Sequence, residues 1–294
     1  MNYRHHFHAG NFADAMKHAL LVRLVRALQR KEKGFVYVDT HAGRGRYDLE
    51  LAGSGDTLAR TPEWPAGIGR LWADDAAGDK AKPECIRDYA GLVRSFDRDA
   101  GNLAATPRFY PGSPWLVRML ARPADRLSLW ERHPAECGAL RAEFAGQPRT
   151  TVQEADGYGA LRAVLPPAER RALVLIDPPF EAQDEFAQVA RALGEGLARF
   201  PTGVFAVWYP LTGRARVDDF FAEVRRLRPP PTLAAELGVA GEAAAIKLKG
   251  CGLLVVNPPW QFDVEAEAAL GYLAAVLAQA PGGGARVEWV EPAR

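Results

Sequence analysis

The apolar positions of this chain change period several times, and each change marks an element. Ala172-Leu173-Val174-Leu175-Ile176 is a run of five apolar residues without alternation that stops at Asp177-Pro178-Pro179-Phe180. Such a run suits the centre of a parallel sheet covered on both faces, and two prolines forbid the hydrogen-bond ladder from continuing. It predicts a buried strand whose carboxyl end opens into a loop, the place where open α/β sheets bind ligands. Residues 35–38, 126–131 and 203–210 predict further strands, ending at Asp39, at Glu131 and at Trp208-Tyr209-Pro210. A shorter strand at 150–153 ends in Glu154-Ala155-Asp156-Gly157. Trp208 and Tyr209 are expected beside the Asp177 loop.

Helical periodicity fills the intervals. Residues 12–31 carry Leu20, Leu21, Leu24, Val25 and Leu28 on one stripe, with Asp14 at the positive end and basic residues at the other. Further helices are predicted over 135–144, 185–197 and 264–280. Another starts at Ser113 as N-cap with Pro114 in the first position and runs through Trp115, Leu116 and Leu120. Residues 244–249 and 252–257 flank Gly250-Cys251 and predict a hairpin, with a last strand over 285–290. From 51 to 108 the α/β alternation is broken by helical patterns around 68–72 and 86–96. The predicted architecture is α/β: a Rossmann-like sheet of seven strands with a small helical insertion. Residues 1–50 hold an N-terminal segment, the first helix and the first loop, 51–108 the insertion, and 109–294 the remainder.

Composition narrows the class. The 294 residues are 48% hydrophobic and 25% charged, ordinary for a globular chain, and the net charge of +1 gives no bulk argument for nucleic acid. Locally, Arg4, Lys17, Arg23, Arg26, Arg30, Lys31 and Lys33 face only Asp14 and Glu32, so a basic patch and a solvated helix face are both open readings. In the insertion, Arg87, Arg94 and Arg98 recur near helical spacing and favour an exposed charged face over a phosphate contact. Three separated cysteines point to a reducing compartment with no zinc motif, and no apolar run reaches membrane-spanning length, so a cytoplasmic protein is expected.

The chemistry gathers at strand ends. Asp39-Thr40-His41-Ala42-Gly43-Arg44-Gly45 is a cofactor-approach loop, with Gly43 permitting close backbone contact. Asp48 stands where a dinucleotide fingerprint wants its third glycine, and no second strand ends in an acid about twenty residues on. A short Gly-x-Gly beside a strand-end acid fits a cofactor without pyrophosphate and with an amino-acid tail. Glu131 is then the delayed acid for ribose hydroxyls, and an acid at the third strand end, within Glu154-Ala155-Asp156-Gly157, offers an acceptor to an adenine amino group. Asp177 and the Pro178 carbonyl are two acceptors that would draw the lone pair of an exocyclic amine back onto nitrogen, and Phe180 offers a face to an extruded base. Lys17 stands at helical spacing from Leu20, Leu21 and Leu24, so its stem points coreward; its ammonium either snorkels to solvent or holds a carboxylate or phosphate near the helix start. His5, His6 and His8 crowd a segment without period, read as a polar lid or solvated terminus in preference to a metal site.

These residues together resemble a family. The Asp177-Pro178-Pro179-Phe180 loop is similar to the catalytic motif of S-adenosylmethionine-dependent amino-methyltransferases. The chain as a whole resembles the bacterial 23S rRNA adenine-N6 methyltransferases that modify the adenosine at position 2030. The carriers are Tyr3-Arg4-His5, Phe7-His8-Ala9-Gly10-Asn11, Ala13-Asp14, Lys17-His18, Asp39-Thr40-His41-Ala42-Gly43, Tyr110-Pro111-Gly112-Ser113, Asp177-Pro178-Pro179-Phe180, Trp208-Tyr209-Pro210 and Asn257-Pro258-Pro259-Trp260. The resemblance implies S-adenosyl-L-methionine contacts at His18, His41, Ser113, Glu131, Asp156, Gly157 and Asp177, with Asp177 as acceptor. It also implies RNA contacts at Tyr3 and His5, and an N-terminal motif closing over a flipped base. A monomer acting on 23S rRNA without metal is expected; the alternatives are methylation of DNA or another RNA, or a non-catalytic RNA-binding module. Asn257-Pro258-Pro259-Trp260 also satisfies the loose catalytic pattern, but it follows the hairpin, beyond the crevice strands, and reads as structural.

Overall fold

The structure is a computed structural model and describes residues 7–51, 61–76 and 82–292. Helix α1 (Phe12–Gln29) leads into β1 (Val36–Asp39), and β2 (Arg46–Asp48) pairs with β3 (Phe109–Pro111) as a separate antiparallel ribbon. Between those two strands lie a 3-10 turn (Trp64–Ala66), α2 (Ile68–Ala76) and α3 (Glu84–Asp99). The chain continues through α4 (Ser113–Leu120), β4 (Arg126–Glu131), α5 (Pro134–Glu143), β5 (Thr150–Glu154), α6 (Gly159–Val164), β6 (Ala172–Ile176) and α7 (Glu185–Arg199). It ends with β7 (Val204–Pro210), α8 (Arg214–Arg226), β8 (Thr232–Gly238), β9 (Gly250–Val256), α9 (Phe262–Val276) and β10 (Gly284–Glu291).

The main sheet has eight strands rather than seven, in the order β10-β8-β9-β7-β6-β1-β4-β5. β10, the strand expected over 285–290, pairs antiparallel with β8 at the sheet's edge, and β8 is the strand that no sequence pattern announced. All five residues of β6 are buried, as their unalternating pattern requires, because β1 and β7 flank the strand and helices cover both faces. β5, β4, β1, β6 and β7 are mutually parallel. Their carboxyl ends, with Asp39, Glu131, Glu154, Asp177 and Pro210, therefore share one edge of the sheet.

Three sequence expectations change. The predicted hairpin pairs different segments: β9 joins β8, with Gly238 opposite Gly250, and residues 244–249 are the connecting loop instead of a strand. Helix α8 and β8, absent from the sequence reading, fill that stretch; Val217, Phe220, Phe221 and Val224 of α8 are buried, but charged residues between them blur the stripe. The basic character of α1 is spent internally: Arg23 pairs with Glu265, Arg30 with Glu265 at 3.4 Å and Arg26 with Asp88 at 3.3 Å, so three of the cations clamp α1 to α9 and α3. In the insertion, Arg87 and Arg98 are exposed as the charged-face reading expects, and only Arg94 is drawn in, over the Trp72 ring at 4.2 Å.

The second proline-aromatic loop sits at the wrong end for the crevice. β9 runs antiparallel to β7, with Val256 opposite Phe205, so Asn257 emerges where β7 begins. Its amide donates to the Pro201 and Gly203 carbonyls, both at 2.8 Å, and its backbone is left-handed at φ 54°. Asparagine tolerates that conformation better than most residues. Asn257→Ala is expected to destabilise the fold by about 1–2 kcal/mol in denaturant unfolding; unchanged stability would show that the two bonds contribute nothing.

Candidate active site

The start of α1 is built by side chains. Asn11 is its N-cap and accepts from Asp14 N at 2.9 Å, while Asp14 Oδ2 accepts from Gly10 N at 2.9 Å. This reciprocal arrangement is a variant of the capping box, and it leaves Asp14 Oδ1 to accept from Lys17 Nζ at 2.8 Å. The Lys17 ammonium also donates to Asp177 Oδ2 at 2.6 Å. Snorkelling is thereby excluded, since Lys17 is only 5% exposed and its charge ends between two carboxylates. Burial alone would lower its pKa, but Asp14 and Asp177 outweigh that and hold it well above the ordinary lysine value. Phe7, Ala9, Gly10 and Asn11 are buried, so residues 7–11 are packed rather than a solvated terminus. Tyr3 and His5 lie outside the described residues.

His18, one residue further along α1, is 2% exposed and shares a 2.7 Å hydrogen bond between Nδ1 and the Tyr110 hydroxyl, which in turn meets the Tyr89 hydroxyl at 2.8 Å. It stands behind Lys17 as part of the packed interior.

Asp39 is the hub of the first loop. Its Oδ2 accepts from the Tyr37 and Ser113 hydroxyls, both at 2.7 Å, and its Oδ1 from His41 N at 3.3 Å. Ser113 was expected to cap α4. Instead Gly112 is the N-cap position, Ser113 is the first helical residue, and its hydroxyl is directed at Asp39 because the sheet brings a fully buried carboxyl within reach. Burial pushes the Asp39 pKa up to about 6, against partial relief from Ser113 and Tyr37. The Thr40 hydroxyl donates to the Leu175 carbonyl at 3.0 Å, which leaves His41 Nδ1–H to donate to it at 2.8 Å. Packing around the imidazole pushes its pKa down to about 4, so His41 is neutral at physiological pH.

The next strand ends complete the crevice. Glu131 is fixed through both oxygens, accepting from Gly43 N at 2.9 Å and His133 N at 2.7 Å. Gly43 has φ 61°, and a Cβ there would lie 2.3 Å from the Tyr47 hydroxyl, so its glycine is required twice over. A Cβ on Gly157 would come within 1.7 Å of the Thr40 carbonyl oxygen: this glycine lets the loop after β5 lie against the loop after β1. Asp156 beside it is exposed.

After β6, Phe180 is held at φ 48°, uncommon for an aromatic residue, with its ring 4.8 Å from Phe186 and 5.7 Å from Trp208. Of the two aromatics expected here only Trp208 arrives. Tyr209 points to the opposite face because side chains alternate along β7, and its hydroxyl donates to Glu236 at 3.0 Å.

The structure thus brings Lys17, Asp177, Pro178, Phe180, His41, Gly43, Glu131, Asp156 and Gly157 to one sheet edge, with Ser113 and His18 as buried supports. The groups suit a nucleoside bearing an amino-acid tail: carboxylates fixed at strand ends for hydroxyls and amines, a neutral imidazole, and glycines allowing backbone approach. The sequence places Asp14 at the positive end of α1, but gives no sign that it pairs with Lys17. Glu63, whose Oε2 accepts from Asn11 Nδ2 at 2.8 Å, carried no sequence signal, because it lies in an aperiodic stretch of the insertion. Among the described residues no His, Cys, Asp and Glu group has the arrangement of a metal site.

Known proteins share this arrangement of sequence and fold. A family model described as ribosomal RNA large subunit methyltransferase D, RlmJ, matches residues 32–291. The chain is 38% identical over 292 residues to ribosomal RNA large subunit methyltransferase J of Escherichia coli (strain K12), covering 99% of both proteins. It is 37% identical, with the same coverage, to the protein of that name from Haemophilus influenzae. A crystal structure of a Legionella pneumophila protein matches with a TM-score of 0.83 and 33% identity over 96% of this chain and 98% of that one.

The Asp39 carboxyl makes a pH prediction. With its pKa raised from 3.8 to about 6, the folded state binds more protons than the unfolded chain between those values, so stability falls as pH rises through that window. The loss attributable to this group is roughly 3 kcal/mol at most. Asp39→Asn, neutral throughout, is expected to flatten that fall when unfolding free energies of both proteins are compared at about pH 4 and pH 7. An identical pH dependence in the two proteins would refute the assignment.

Proposed function

Because the chain belongs to the RlmJ family of ribosomal RNA large subunit methyltransferases, we propose that it methylates N6 of an adenine in 23S rRNA, at position 2030, with Asp177 as the acceptor that activates the amine. It is an S-adenosylmethionine-dependent rRNA methyltransferase. The observation that carries the finer reading is the Lys17–Asp177 pair at the carboxyl end of β6. Lys17 fixes Asp177 Oδ2, and Oδ1 remains for a substrate amine.

The cofactor supplies a methyl group on a cationic sulfur whose leaving group is a neutral thioether. The chain's own residues do the rest by placement and charge. Asp177 Oδ1 and the Pro178 carbonyl accept the two N6 N–H groups, which favours a pyramidal nitrogen with its lone pair exposed. Asp177 would accept the proton that the amine loses on methylation. Lys17 keeps that carboxylate oriented. With Asp14 and Asp177 ionised, the three groups sum to one negative charge, favourable beside a sulfonium, and neutral His41 adds no opposing charge. Glu131, oriented by Gly43 and His133, would hold the cofactor's ribose hydroxyls, and Asp156 and Gly157 would hold its adenine end. Phe180, backed by Phe186 and Trp208, supplies the stacking face for the flipped base.

Two substitutions test the assignment, with N6-methyladenosine in 23S rRNA quantified by mass spectrometry. Asp177→Ala is expected to lower kcat by about a hundredfold or more while circular dichroism remains native. Near-normal turnover in that variant would remove Asp177 from the mechanism. Lys17→Ala is expected to lower kcat far more than Lys31→Ala, a change at an exposed lysine of the same segment. Equal rates in the two lysine variants would make the buried ammonium a structural feature alone.

A further inference from the structure

The insertion reaches the catalytic acid through a continuous chain of hydrogen bonds. Glu63, just before the 3-10 turn, accepts on Oε2 from Asn11 Nδ2 at 2.8 Å and is paired there with His8 Nδ1 at 2.9 Å. Asn11 Oδ1 accepts from Asp14 N at 2.9 Å, Asp14 Oδ1 from Lys17 Nζ at 2.8 Å, and Lys17 donates onward to Asp177 at 2.6 Å. The backbone runs alongside: Glu63 N donates to the Phe7 carbonyl at 3.2 Å and Ile68 N to the Gly10 carbonyl at 2.8 Å. Gly67 lies so close to this turn that a Cβ would stand 2.1 Å from the Gly10 oxygen, so residues 63–68 grip residues 7–11 backbone to backbone.

Asn11 is thus tied at both ends of its amide. One end caps α1; the other is held by a residue that belongs to neither α1 nor the sheet. Burial works against the Glu63 carboxylate, but its bonds to His8 and Asn11 outweigh that and keep its pKa below the ordinary value. A side chain 46% open to solvent adds little to the core, so a carboxylate carrying two bonds there has a positional effect to explain.

We infer that Glu63 is a positioning residue for methyl transfer: by locking Asn11 it fixes the first turn of α1 and, through Asp14, sets the Lys17 ammonium against Asp177. The inference rests on the proposed role of Lys17 and Asp177. Without Glu63 the Asn11 amide is free to turn, the cap loosens, and Lys17 is held by an aspartate whose own backbone frays.

The test measures kcat and the KM values for S-adenosylmethionine and 23S rRNA, with melting temperature alongside. Glu63→Ala is expected to lower kcat about tenfold, since small misplacements at a reacting centre are costly, with both KM values within about twofold. Glu63→Gln keeps an acceptor for Asn11 and is expected to restore kcat to within about twofold of the wild type. Asn11→Asp keeps the cap oxygen but turns an anion toward Glu63, so its kcat is expected to fall, and adding Glu63→Gln, whose amide can donate, is expected to recover it. Wild-type kcat in Glu63→Ala, a Glu63→Gln variant as slow as Glu63→Ala, or no recovery in the double variant would each overturn the inference. Asp177→Ala, run in parallel, separates the two levels: if it too turns over normally, the proposed site fails, whereas its inactivity beside an unaffected Glu63→Ala defeats only the positioning role.

Discussion

The ammonium of Lys17, buried between Asp14 and Asp177, is the interaction on which the crevice depends. Removing three charges from water is costly, and their mutual attraction offsets that only when the geometry is good and the remaining lone pairs and protons find partners. The chain meets that condition by building the helix start first. Asn11 and Asp14 satisfy the free N–H groups there, and the oxygen left over on Asp14 receives Lys17. Residues 160 positions apart are thereby joined, so the end of β6 and the first turn of α1 are set together.

Around that centre the sheet imposes direction. Five parallel strands bring five carboxyl ends to one edge, and the ends of β1, β4 and β5 hold one another there: Gly43 donates to Glu131 and Gly157 lies against Thr40, while Ser113 of α4 fixes Asp39. The same rule separates two similar Pro-Pro-aromatic loops in space. β6 is parallel to β7 and β9 is antiparallel to it, so the two loops leave the sheet at opposite edges.

Many of the surface cations are committed to ion pairs. The arginines of α1 are matched to acids on α3 and α9, Arg44 is matched to Glu136 at 2.8 Å, and Arg214 to Glu236 at 2.8 Å. A chain with a net charge of +1 thus commits many cations to joining elements to one another, which bears on why RNA affinity could not be read from residue counts.

The sequence by itself determined the strands of the parallel half of the sheet and the edge at which the Asp177-Pro178-Pro179-Phe180 loop emerges. These depend on local pattern: an unbroken apolar run, a terminating acid and a pair of prolines are visible in a few consecutive residues. It also placed Lys17 on the coreward stripe of α1. Tertiary structure alone decided what that lysine does, because its partners are Asp14, one turn away, and Asp177, in the loop after β6. It likewise turned Ser113 from an expected cap into a donor to Asp39, moved the hairpin to β8 and β9, and brought Glu63 against Asn11. In each case the deciding energy is satisfaction of a buried or capping polar group, and a polar group's partner is set by which backbone the fold brings near it, which no local period encodes.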